Sequence, residues 1–155
     1  MDKYDITVTN YPKKRLVGMK ARTSMQKAQT DCPALFQSFM PRVSELAQLS
    51  KCNNFYGVSV MLNAEDFDYW AAVEIETDAN LPEGMACMDI PSGEYAKCAV
   101  PNMEKLGEAY MYVFGEWPKS QTKYVLDEQA PMFELYPMCF KPTDSFEIYA
   151  PVKKG

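Results

Sequence analysis

Histidine is missing from all 155 residues. Zinc sites of the finger, ribbon or catalytic-His kind are therefore not expected, nor is a Ser–His or Cys–His nucleophile pair. Cysteine is sparse: Cys32, Cys52, Cys87, Cys98 and Cys139 form no CxxC pair and are odd in number, which fits reduced thiols in a cytoplasmic protein. No stretch approaches the ~18 apolar residues of a membrane span, and the opening MDKYDITVTN does not have the basic-then-apolar order of a signal peptide. Basic residues are scattered apart from Lys13-Lys14-Arg15 and Lys153-Lys154, under a formal charge of −5. A phosphate backbone needs a basic stripe, so direct nucleic-acid binding is not expected. No metal, cofactor or catalytic residue is implied by any of these features.

What is present suits one domain over 1–155 with a sizeable core: 17.7 kDa, 47% apolar and 24% charged residues. Aromatics at 13% suffice to line a pocket as well as fill a core. KRLVGMKAR (14–22) reads as a strand, preceded by an edge strand at YDITVTN. A helix follows, with Leu35, Phe36, Phe39, Met40, Val43, Leu46 and Leu49 on one face, Asp31 and Pro33 at its start and a break at Pro41. FYGVSVML (55–62) and FDYWAAVEIE (67–76) are two strands joined at NAED.

The same order then recurs. GEYAKCAV (93–100) is a strand, and a helix opens behind Asn102 with Met103, Leu106, Tyr110 and Val113 on one face and Gly115 at its end. Residues 116–130 read as loop with a short strand at KYVL, and MFELYPMCF (132–140) and SFEIYAPVK (145–153) close the chain. Phe133 lies 77 residues after Tyr56, and Phe146 lies 77 after Tyr69. Two strand–helix–strand–strand halves, about 1–78 and 79–155, account for this spacing.

Glu134 interrupts the apolar strand at Phe133 and Leu135, and a lone carboxylate in a strand is costly to bury without a partner. Alternation along the strands places Phe133, Leu135, Phe146, Ile148, Val152, Tyr56, Val58, Val60, Tyr69, Ala71, Val73 and Ile75 toward the helices. The opposite face then carries Glu134, Tyr136, Glu147, Tyr149, Gly57, Ser59, Met61, Trp70, Ala72 and Glu74. An outer-face Glu is ordinarily just solvated, but here aromatics concentrate around it.

The pieces GEYAKCAV, YMYVFGEWP, APMFELYP and FEIYAPVK resemble the GyrI-like small-molecule-binding domain, which also serves as effector-binding domain in AraC- and MerR-type regulators. The resemblance implies an α+β fold: two pseudo-twofold modules forming a curved antiparallel sheet backed by helices, with a ligand pocket on its concave side. It also implies that the glutamate of the FELY strand, Glu134, binds lipophilic cations, with Tyr149 and Trp117 among the surrounding rings. NAED stands where the family often has DDP, and no helix-turn-helix fits ahead of residue 14, so a DNA-binding activator is not expected.

The expected ligand-facing set is Glu134, Tyr149, Tyr136, Trp70, Trp117, Tyr112, Met61 and Ser59. The expected function is a stand-alone binding protein for a lipophilic cationic or aromatic small molecule, acting as sensor or regulator, with any protein partner left open. Two alternatives stay open: hydrolysis of a reactive small molecule, with Glu134 as base and Tyr149 or Tyr112 as acid, and direct inhibition of a DNA gyrase.

Overall fold

Runs rich in Val, Ile, Tyr and Phe become strands in a computed structural model of the chain, which describes residues 6–24, 26–42, 50–63, 65–75, 82–127, 130–136 and 144–154. The first half holds β1 (Ile6–Tyr11), β2 (Lys14–Ser24), α1 (Ala28–Phe39), β3 (Ser50–Met61) and β4 (Asp66–Ile75). The second holds β5 (Ala86–Ile90), β6 (Gly93–Val100), a helical stretch, β7 (Tyr124–Leu126), β8 (Met132–Tyr136) and β9 (Phe146–Lys154). That stretch begins as a 3₁₀ turn at Met103–Lys105, continues as α2 (Leu106–Met111), widens into a π-turn at Tyr112–Glu116 and ends in α3 (Trp117–Ser120).

The sheet order is β1-β6-β9-β8-β3-β4-β2-β5, all antiparallel, with β7 added on the end of β9. Read outward from the centre, β8-β9-β6 repeats β3-β4-β2. These are the two strand–helix–strand–strand modules that the 77-residue spacing implies. They meet where Gly57 pairs with Glu134. Those two residues are themselves 77 apart, so the pseudo-twofold axis runs through this one pair.

The connections roll the sheet. β1 and β2 stand six places apart in the order, about 29 Å in a flat sheet at ~4.8 Å per strand. Tyr11 and Lys14 are joined by only three peptide steps, at most about 11 Å. β5 and β6 repeat the constraint across Ile90–Gly93. The two edges must therefore curl toward each other, and the inside of the roll is filled by Leu16, Tyr56, Val58, Trp70, Ala72, Ile90, Tyr95, Phe133 and Tyr149. The other face carries the helices: Val17, Leu35, Phe39, Tyr69, Ala71 and Val73 pack around α1, and Cys98, Tyr112, Val113, Trp117, Phe146 and Ile148 around α2 and α3.

Several local expectations are corrected. α1 starts at Ala28, so Asp31 and Pro33 lie inside its opening turns, where Asp31 accepts a 2.8 Å hydrogen bond from buried Thr23 and pins the helix to β2. It ends two residues before Pro41; Val43, Leu46 and Leu49 lie outside the described residues. Asn102 does cap its helix, its Oδ1 accepting from Lys105 N at 3.2 Å. Gly115 does not end that helix, because the π-turn absorbs it and the chain stays helical to Ser120. β5 is an addition to the expected elements, and residues 137–140 of the strand expected over 132–140 lie outside the described residues.

Candidate functional site

Which face Glu134 occupies follows from register. It pairs with Ile148 on one side and Gly57 on the other, and Gly57 pairs with Ala71. Cross-strand partners share a face, so Glu134 points under the helices together with Ile148 and Ala71. Phe133 and Leu135 point the other way, into the roll: Phe133 is fully buried there, stacked on Tyr149 at 4.6 Å. The alternation within each strand is as expected; what differs is the phase of β8 against β9 and of β3 against β4, so that Tyr56, Val58 and Val60, expected toward the helices, line the roll with Trp70 and Ala72. Since the roll buries both faces, neither is marked by polarity.

The same shift of phase separates the expected site residues. Tyr136 stands two residues from Glu134 on the same face, and its hydroxyl donates to Glu134 Oε1. Ser59 and Met61 follow Gly57 on that face, Ser59 buried and Met61 exposed at the strand end. Tyr112 and Trp117 are buried in the packing between the second helical stretch and the sheet. Tyr149 and Trp70 lie on the opposite face. Tyr149 donates to Glu147 at 3.1 Å, and Trp70 carries Lys20 Nζ 5.6 Å from its ring centroid. Glu147 is likewise remote from Glu134 in orientation and is paired with Lys97 at 2.9 Å.

Residues outside the expected set complete the site. Tyr69 of β4 donates to Glu134 Oε1 at 3.0 Å, and Tyr110 of α2 donates to Oε2. Phe36 of α1 sits edge-on to Tyr69 and Tyr136, at 6.1 and 5.8 Å between centroids. Cys32 of α1 lies close enough to feel the carboxylate: burial first, then the charges of Glu134 and Asp31, push its thiol up to about 12. Helical spacing alone places Tyr110 on the packing face with Met103, Leu106 and Val113. Tyr69 becomes visible only once Gly57 is known to face Glu134.

Glu134 is 5% exposed. Burial raises its carboxyl above the ordinary range, and the hydrogen bonds from Tyr110, Tyr136 and Tyr69 oppose that without reversing it. The three phenols are held well above their usual value by burial first and by the adjacent carboxylate second. Among the described residues no Lys or Arg pairs with Glu134, and no His, Cys, Asp and Glu group suits a metal ion. The arrangement is a buried carboxyl ringed by tyrosine donors and aromatic faces, closed over by α1 and α2. Two grooves of about 310 and 320 Å³ lie elsewhere, at Leu135–Glu147 and between β2 and α1.

The family model of integron-associated effector-binding proteins matches residues 7–152. No curated protein sequence matches the chain. Among solved structures, SAV2435 bound to tetraphenylphosphonium is similar at a TM-score of 0.78 and 18% identity, over 96% of this chain and 94% of that one. A putative transcription regulation protein from Staphylococcus aureus MU50 follows at 0.72 and 17%, over 99% of each chain. An integron cassette protein from the mobile metagenome of Vibrio cholerae gives 0.67 and 15%, over 97% of each. At such identities the likeness establishes a shared fold. No helix among the described residues is long and apolar enough to cross a membrane.

Proposed function

Since the chain belongs to the family of integron-associated effector-binding proteins, we propose that it binds a small-molecule effector, a lipophilic cation anchored at Glu134. The observation that carries this reading is the carboxylate itself: buried, hydrogen-bonded by three tyrosines, and without a cationic side chain among the described residues. A buried charge is destabilising until an opposite charge arrives. A cationic ligand supplies that charge, and the rings of Tyr69, Tyr110, Tyr136 and Phe36 add cation–π and apolar contact of about 0.5–2 kcal/mol each. The match to a fold solved with tetraphenylphosphonium bound supports the same class of ligand.

Admission requires the cover to part. Tyr110 rides on a six-residue α2 that runs into a π-turn. The π-turn departs from regular α-helical hydrogen bonding directly after Tyr110's helix, and such turns often mark functional positions. Titration calorimetry with tetraphenylphosphonium and neutral triphenylphosphine oxide tests the reading. The cation is expected to bind with micromolar affinity. Glu134→Gln should weaken it by about 1.5–3 kcal/mol, the worth of a contact to a charged group, while leaving the neutral molecule nearly unchanged. Equal loss for both would remove the charge from the mechanism.

A further inference from the structure

Gly57 sits mid-strand in β3, where glycine weakens a sheet. Its φ does not lie in the left-handed region, Gly84 being the glycine that does among the described residues. Backbone conformation therefore does not demand glycine at 57. Space does. A Cβ there would lie 2.1 Å from Tyr69 Oη and 3.0 Å from both Tyr69 Cζ and Glu134 Oε1. In the order β8-β3-β4, Gly57 stands between the strand carrying Glu134 and the strand carrying Tyr69. The phenol reaches the carboxylate by lying across the bare backbone of β3.

We propose that Gly57 is a positioning residue of the site: its absent side chain opens the slot through which the Tyr69 hydroxyl reaches Glu134. The proposal deepens the cation reading and rests on it for its functional meaning. On the pseudo-twofold axis, equivalent positions of the two modules become neighbours. One supplies the carboxylate and the other the emptiness beside it, so the site holds one negative charge served by donors from β4, β8 and α2. A side chain at 57 drives the Tyr69 ring off the carboxylate and leaves Oε1 with Tyr136 as its remaining phenolic donor.

The test follows the Glu134 carboxyl by ¹³C NMR against pH in the ligand-free protein, the signal being the one lost in Glu134→Gln. The groups whose titration bears on it are Tyr69, Tyr110, Tyr136 and Cys32. Gly57→Ala and Tyr69→Phe should each move the carboxyl upward by about one to two pH units, as expected for one lost donor to a charged group. The double variant Gly57→Ala/Tyr69→Phe should move it no further than either single change. It should also melt above Gly57→Ala alone, because the hydroxyl it removes is the atom closest to the new methyl. An unmoved carboxyl in Gly57→Ala, additive movements in the double variant, or a double variant no more stable than Gly57→Ala would each overturn the proposal. No ligand enters this measurement, so a failure of tetraphenylphosphonium to bind the wild type would sink the cation reading separately.

Discussion

Replacing Glu134 with Gln should stabilise the ligand-free protein at neutral pH. Gln keeps the volume of Glu, and its carbonyl can still accept from Tyr69 and Tyr136 in the place of Oε1. What disappears is the buried charge. Because burial holds the folded-state carboxyl above its ordinary 4.5, folding favours the protonated side chain more than the unfolded chain does. The wild type therefore has the full benefit of this group below pH 4.5 and loses it as pH rises through the folded-state value; Gln, which does not titrate, loses nothing. The advantage of the variant should grow from pH 4.5 upward and level off once the folded carboxyl is ionised. Each pH unit by which the folded carboxyl lies above 4.5 contributes about 1.4 kcal/mol, or about 3–6 °C in melting temperature for a chain of this size. Calorimetric melts of both proteins between pH 4 and pH 8 measure it. If Gln is less stable at pH 8 than at pH 4 relative to wild type, or the difference is flat across the range, the carboxylate is not the strained group described above.

Two further outcomes bear on the chemistry of the site. With its thiol pushed up to about 12 from 9.0, Cys32 should react with iodoacetamide at pH 8 more than about tenfold more slowly than an unperturbed thiol, the lost thiolate fraction outweighing the higher nucleophilicity of the thiolate that remains, and faster in Glu134→Gln; mass spectrometry of the labelled peptide checks both, and labelling at the free-thiol rate would contradict the placement of Cys32 beside the charge. Lipophilic cations and electrophilic ligands should come back chemically intact after long incubation. A product made by the wild type and not by Glu134→Gln would instead favour the hydrolase alternative, with a carboxylate and phenols serving as base and acid.

Much of the fold was legible because its signals are local. The strand at GEYAKCAV, the cap at Asn102 and the strands around FYGVSVML and FEIYAPVK come from alternation, capping chemistry and apolar periodicity within a dozen residues. The 77-residue spacing carried the topology further, since two like modules imply two like sets of neighbours. Glu134 itself stood out as a carboxylate with no local reason to be in a strand.

The composition of the site was not local. Tyr69 and Glu134 are 65 residues apart, Tyr110 and Glu134 are 24 apart, and their convergence depends on the register of β8 against β3 and β9. A one-residue change of phase exchanges every side chain between faces. Ordinarily a solvated face betrays the phase, but a rolled sheet with helices outside and aromatics inside leaves both faces apolar. Tyr149 and Trp70 thus carried the same credentials in sequence as Tyr69 and Tyr136. The order of elements, their duplication and the isolated carboxylate were written in the chain, where short-range sterics and hydrophobic period suffice to read them. The face on which Glu134 turns, the three phenols that meet it and the bare backbone that lets one of them through came from long-range pairing, because only the folded sheet brings those strands side by side.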